Sequence, residues 1–252
     1  MPTNVTVENG IGKLVLSDPP LNILSRAVMA DLRKNLRDLA ADQTLRVLVI
    51  QADGKHFSAG ADVGEHLPPE YEEMIPEFLD TIVQLAGFPV PVIAAVRGRC
   101  LGGGFELALA VDIIVAGEGA AFGVPEILLG VFPPIACALL PELMAPSAAA
   151  EIVFTGDTLT AQQALDLGIV RSVVPDERAE EEALDLAGRI ARHSAAALRS
   201  AKRAFRAGYG ARRSDALKAA GKEYVDELMK TEDAVEGLRA FTEKRKPTWK
   251  HA

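Results

Sequence analysis

The sequence predicts an α/β core followed by an all-helical C-terminal region. Three observations carry this. Continuous apolar runs of strand length alternate with helix-period segments as far as residue 175. The strands that follow the first hairpin lack an inside-outside alternation, as strands buried on both faces of a parallel sheet do. From Asp176 onward only helical patterns remain. The chain therefore divides into a core over 1–175 and a helical region over 176–252.

Residues 5–7 and 11–16 alternate β-formers around Asn9-Gly10 and read as a hairpin. Asp18-Pro19-Pro20 breaks the chain. Ser25 is placed to cap a helix over 26–41, with Val28, Leu32, Leu36 and Leu39 at helical spacing. Residues 46–51 form a continuous apolar strand, and the small-residue loop His56-Phe57-Ser58-Ala59-Gly60-Ala61-Asp62 follows it. A proline-interrupted helix covers 69–86. Residues 92–96 form a second buried strand, which leads into Gly102-Gly103-Gly104 and a helix over about 103–110. A third strand covers 112–116, and 120–123 is short and extended. Helices are expected over about 133–143, over 147–154, and from Thr160, as N-cap, to Gly168. A last strand covers 171–174. Beyond it the helices fall at about 178–193, 195–208, 212–229 and 232–243. No internal repeat stands out in the sequence.

The chemistry concentrates between Ala94 and Glu126. Two carboxylates, Glu106 and Glu126, stand in otherwise apolar sequence, where an unpartnered charge is costly to bury. Glu106 lies one helical turn beyond Gly103. The loops 59–61 and 102–104 each follow a buried strand, so neighbouring strands would bring them together at one sheet end. Two backbone N–H groups converging from two such loops make an oxyanion hole, and Gly103 opens a helix, where free amides and the dipole favour negative charge. The glycines alone fit a tightly packed strand-to-helix turn at least as well. Two acids downstream of the same turn favour function, because two carboxyls around one water divide acid and base work.

Composition narrows the alternatives. A net charge of −8 argues against nucleic acid as the main partner. No apolar run reaches the ~18 residues that span a bilayer, and the N-terminus lacks the layout of a signal peptide. Cys100 and Cys137 give neither a disulfide framework nor metal spacing, and fit a reducing, cytoplasmic setting. His56, His66, His193 and His251 form no ligand set. No phosphate-loop lysine, dinucleotide fingerprint or nucleophile elbow is present. No metal site and no separate cofactor are expected.

The motifs in order resemble those of the crotonase (enoyl-CoA hydratase/isomerase) superfamily. They are Asp18-Pro19-Pro20-Leu21-Asn22, His56 to Asp62, Gly98-Arg99-Cys100-Leu101-Gly102-Gly103-Gly104-Phe105-Glu106-Leu107, Phe122 to Gly130, Phe154-Thr155-Gly156-Asp157 and Phe241-Thr242-Glu243-Lys244-Arg245-Lys246. The resemblance implies a spiral of ββα turns with a helical C-terminal oligomerisation region, hence a homotrimer or a dimer of trimers. It implies an acyl-CoA thioester as substrate, with coenzyme A part of the substrate. By the same resemblance the Ala61 and Gly103 amides hold the thioester oxygen, and Glu106 and Glu126 take the two carboxylate positions of hydratases. Ser58, Ala59, Gly60, Asp62 and Gly102 fall in the CoA-binding loops. Keeping both acids favours adding water to a conjugated enoyl- or dienoyl-CoA. The alternatives are a Δ3,Δ2-enoyl-CoA isomerase, which needs one acid, and a non-catalytic acyl-CoA-binding member of the fold.

One stretch departs from the fatty-acid hydratases. Where they usually read Gly-Ala-Gly-Gly-Thr-Gln, this chain has Val131-Phe132-Pro133-Pro134-Ile135-Ala136-Cys137-Ala138-Leu139-Leu140-Pro141. Phe132 and Pro133 would therefore reshape the acyl side of the pocket. This segment, Glu65-His66-Leu67-Pro68 and the Glu227 to Leu238 ending resemble the cyclic dienoyl-CoA (cyclohexa-1,5-diene-1-carbonyl-CoA) hydratases. The basic residue often found after the first loop's aspartate is missing, which leaves Lys55 and Lys244-Arg245-Lys246 as cations for the CoA phosphates.

Overall fold

The structure, a computed structural model, describes residues 2–248, with the side chains of 207–216 and 219 outside the description. His251 lies outside the described residues.

Strands β1 (Thr3–Glu8) and β2 (Ile11–Leu16) pair antiparallel around Asn9-Gly10. Both turn residues have positive φ, 51° and 76°, the backbone of a two-residue turn whose twist matches the strands. Helix α1 (Arg26–Ala41) starts at Ser25, whose hydroxyl accepts from the Val28 amide, and buries Val28, Leu32, Leu36 and Leu39. Strand β3 (Val47–Ala52) is buried at every residue and runs parallel to β2. Helix α2 (Tyr71–Ala86) accommodates Pro76, and β4 (Val92–Val96) lies parallel to β3. Next come β5 (Arg99–Leu101), α3 (Gly103–Leu109), β6 (Ile113–Gly117) and β7 (Ala121–Gly123). Then α4 (Pro134–Leu143) and α5 (Pro146–Thr155) precede β8 (Thr158–Thr160), α6 (Ala161–Asp166) and β9 (Ser172–Val174). The last helices are α7 (Ala179–Ile190), α8 (Ala195–Asp226) and α9 (Glu232–Thr242).

Two sheets result. The larger has the order β1-β2-β3-β4-β6-β9 and is parallel apart from the β1–β2 hairpin. The smaller has the order β5-β7-β8, and a parallel bridge between Ser58 and Cys100 extends it toward the loop after β3. Each turn of the chain thus lays one strand in the large sheet, a short extended piece in the small one, and then a helix. This is the ββα spiral. The repeat lives in backbone hydrogen bonding rather than in side chains, which is why no sequence repeat marks it.

The large sheet is covered on both faces. Val47, Val49, Ile93, Ala95 and Val115 pack against Ala183, Leu186 and Ala187 of α7. Leu48, Ile50, Ala94 and Val96 face the main core with α1 and α2. Two readings of the sequence change. The helices expected over 195–208 and 212–229 are one helix, α8, followed by a 3-10 turn at Leu228–Lys230. Gly208 and Gly210 do not end it, since a glycine inside a helix costs only about 1 kcal/mol. The strands β5 and β8, three residues each, were not anticipated. Helix α8 is tied to the core by the buried Lys202, which donates to the Asp112 carboxylate at the mouth of β6.

Candidate active site

Strands β3 and β4 are parallel neighbours, but the glycine triplet follows β5 rather than β4, and it is the Ser58–Cys100 bridge that brings it against the loop after β3. Each loop is held in place by its own backbone. In the first, the Leu24 amide donates to the Gly60 carbonyl at 2.9 Å, the Ala59 amide to the Leu21 carbonyl at 2.9 Å, and the Gly60 amide to the Ser58 hydroxyl at 3.1 Å. In the second, the Gly102 amide donates to the Gly123 carbonyl at 2.8 Å. The contact between them is too close for side chains. A Cβ on Gly60, where φ is +111°, would stand 3.1 Å from the Leu101 carbonyl oxygen, and one on Gly103 would stand 3.2 Å from the Ala61 nitrogen. Both amides of interest, Ala61 N–H and Gly103 N–H, have no acceptor among the described residues. Gly103 is the first residue of α3, where no intrahelical acceptor exists.

Glu106 follows one turn along α3 and is 2% exposed. Its Oε1 accepts from the amides of Ile135 at 2.8 Å and Ala136 at 2.9 Å, in the first turn of α4. Burial pushes its pKa up to about 7, against the two amide bonds that favour the charged form. Glu126 sits in the 3-10 turn Pro125–Leu129. Its carboxylate lies over Gly102, where a Cβ would come 2.6 Å from Oε1. Its Oε2 is buried without a hydrogen-bond partner among the described residues. Burial, then the neighbouring Glu106 charge, hold its pKa well above the usual carboxylate range. Both acids are thus held above the ordinary carboxylate range and titrate as a pair, one able to hold a proton while the other is ionised.

A cavity of about 380 Å³ joins these groups. Ala59, Gly60, Ala61, Gly102, Gly103, Glu106, Glu126 and Phe132 all line it. Three residues expected at the site are not among its lining. Ser58 is fully buried beneath it, with its amide donating to the Arg99 carbonyl and its carbonyl accepting from the Leu101 amide. The Asp62 carboxylate accepts from the Gly64 amide, and its carbonyl accepts from His66 Nδ1 at 2.8 Å. Pro133 is the N-cap of α4, and Pro134 reaches the cavity in its place. Sequence reasoning missed several wall residues: Phe78 of α2, Tyr224 of α8, and Leu238 and Phe241 of α9. Nothing in the local pattern of α8 or α9 signals this, because only the tertiary fold brings these helices to the loops. His66 lines the cavity too, with its ring kept neutral chiefly by burial.

A ββα spiral, with two open amides and a pair of buried acids at one largely apolar cavity, is the arrangement of a crotonase-type fold. Comparison with known proteins agrees. The family described as enoyl-CoA hydratase/isomerase matches residues 6–252. A cyclohexa-1,5-dienecarbonyl-CoA hydratase of Thauera aromatica is 37% identical over 240 residues, covering 95% of this chain and 92% of the relative. A 2,3-dehydroadipyl-CoA hydratase of Escherichia coli (strain K12) is 38% identical over 231 residues, covering 91% and 90%. An enoyl-CoA hydratase crystal structure from Mycobacterium avium subsp. paratuberculosis K-10 superposes with a TM-score of 0.88 at 28% identity, covering 99% of this chain and 98% of that one. The chain belongs to the enoyl-CoA hydratase/isomerase family and has the crotonase fold. It is an enzyme of the enoyl-CoA hydratase type. Among the described residues no helix is long and apolar enough to cross a membrane.

Proposed function

We propose that the protein is an acyl-CoA hydratase that adds water across a conjugated enoyl- or dienoyl-CoA thioester. The observation that carries this reading is the Glu106–Glu126 pair at one cavity beside two unengaged amides. The Ala61 and Gly103 N–H groups polarise the thioester carbonyl and stabilise the enolate that forms, each worth about 3 kcal/mol of barrier. One glutamate takes a proton from water as its oxygen bonds to the β-carbon, or to the distal conjugated carbon of a dienoyl group. The other holds that water and takes part in delivering a proton to the enolate. Metal and redox cofactors have no part in this sequence of steps.

The acyl side supports a compact, flat group. Val131, Phe132 and Pro134 replace the glycine-rich segment of fatty-acid hydratases in the cavity wall, and the Thauera relative is named for a cyclic diene. The loop 58–62 and Gly102 hold the CoA moiety through backbone. Of the proposed phosphate cations, Arg245 is engaged by Glu236 and Glu243, which leaves exposed Lys55, Lys244 and Lys246 as the better partners. The C-terminal region is proposed to assemble three chains or two sets of three. The exposed Phe205 and Phe241 of α8 and α9 offer apolar surface for that assembly. The two cysteines are free, which supports a cytoplasmic setting. A screen over linear, branched and cyclic unsaturated acyl-CoAs, read by mass, tests the reading. Gain of one water on at least one of them is the expected result, and isomerisation or unchanged binding across the panel contradicts it.

A further inference from the structure

Tyr224 is 1% exposed, lines the cavity, and has no hydrogen-bond partner for its hydroxyl among the described residues. Its ring packs at 5.3 Å from that of Phe132 and 6.3 Å from that of His66, both tilted. A phenylalanine ring would supply that packing equally well. The hydroxyl adds a buried polar atom that the protein leaves unanswered, and such atoms are rare because they forfeit their bonds to water. Among the described residues the same cavity contains one other orphan of this kind, Glu126 Oε2.

We infer that the Tyr224 phenol is a further polar group of this site, beside the two glutamates, and that it donates a hydrogen bond to oxygen carried at the acyl β-carbon. This rests on the hydratase reading for what that oxygen is: the attacking water in one direction and the product hydroxyl in the other. The remaining polar positions have other partners, apart from Glu106 Oε2, which is a second acceptor for the water. The thioester oxygen faces the Ala61 and Gly103 amides, and Glu106 Oε1 already accepts from Ile135 and Ala136. Oxygen at the β-carbon can point its own hydrogen at Glu126 Oε2 and accept from Tyr224, so that both orphans are satisfied by one atom. The phenol keeps its proton throughout. Burial, then the charges of Glu126 and Glu106, hold its pKa well above the ordinary value, so it serves as donor and takes no proton. His66 cannot replace it as donor through Nδ1, because a carbonyl only accepts and that nitrogen is committed to the Asp62 carbonyl.

The test is binding to ligands that cannot be hydrated. Butanoyl-CoA and 3-oxobutanoyl-CoA differ only by oxygen at the β-carbon, and cyclohexanecarbonyl-CoA and 2-oxocyclohexanecarbonyl-CoA form the matching cyclic pair. Dissociation constants are measured by calorimetry for wild type and Tyr224→Phe. The expected result is that wild type prefers the oxo member of at least one pair. Tyr224→Phe should then bind that member about tenfold more weakly and the plain member within about twofold of wild type. The plain ligand also reports that the pocket is intact. Equal binding of both members by wild type in both pairs overturns the inference, as does a loss in the variant that is equal for the two members. The outcome is independent of turnover. A protein that shows the split but hydrates nothing retains this subsite and loses the hydratase reading, and the reverse result separates them the other way.

Discussion

Glu106 and Glu126 could be found because they break the apolar pattern around them, and the structure shows why they can be there. Glu106 is held by two amides at the start of α4, and Glu126 leans on the bare Cα of Gly102. Since burial raises both pKa values and Glu106 raises that of Glu126 further, the acid limb of the kcat/KM profile should fall near pH 7, well above the ordinary carboxylate range. Glu106→Gln removes the neighbouring charge, so whatever activity remains should show that limb moved to lower pH. The same burial makes a stability prediction. Glu106 has a folded pKa of about 7 against 4.5 for the free group, so the folded state binds the proton more tightly than the unfolded one. Stability from this group is therefore greatest below pH 4.5 and declines as pH rises to about 7. Glu106→Gln should match wild type in urea at pH 4 and exceed it at pH 8, by up to ~3 kcal/mol. A gap that does not widen with pH would contradict the burial argument. Tyr224 illustrates the limit of residue-level reading. Nothing in Glu223-Tyr224-Val225 distinguishes it from a core aromatic, and only the path of α8 brings it to the cavity.

At the level of elements, the site depends on how closely two strand-to-helix turns approach. The glycine triplet was legible as a turn, but each glycine does something different. Gly102 adopts φ 52° and ψ −131°, a region that only glycine enters readily. Gly103 leaves room for Ala61, and Gly104 leaves room for Ser58. Gly102→Ala should therefore be doubly unfavourable, since it strains the backbone and drives a methyl into Glu126 Oε1. A loss of about 1–3 kcal/mol in stability with near-complete loss of turnover is expected by thermal melting and initial rates. Wild-type activity in a folded Gly102→Ala protein would show that Glu126 need not sit where it does. Helix capping was legible at Ser25 and Thr160, and the structure adds the reciprocal bond, with Thr160 accepting from the Gln163 amide while the Gln163 side chain accepts from the Thr160 amide. Strands of three residues were not, because β5 and β8 are too short to show a period and are defined only by their partners in the second sheet.

For the whole molecule, the order of strands and helices announced an α/β core with a helical end, and the spiral itself came from the resemblance of motifs. What no stretch of sequence showed is how far the helical end participates in the core. Helix α7 covers one face of the large sheet, and α8 and α9 close the cavity with Tyr224, Leu238 and Phe241. Removal of α9 should consequently open the acyl side and raise KM for acyl-CoA by an order of magnitude or more, with a smaller effect on proteins' far-ultraviolet helicity than loss of α8 would have. The proposed assembly predicts a sedimentation mass of three or six times the 26.8 kDa chain, and a 26.8 kDa species at micromolar concentration contradicts it. The central claim, that two buried acids hydrate an unsaturated thioester at this cavity, is tested most directly by turnover in H₂¹⁸O with wild type and Glu126→Gln. The account predicts ¹⁸O in a stable hydroxyacyl-CoA product from wild type, and a rate lower by about 10²–10⁴-fold in a variant that still binds the substrate. An unlabelled isomerised product, or labelling by Glu126→Gln at the wild-type rate, would contradict it.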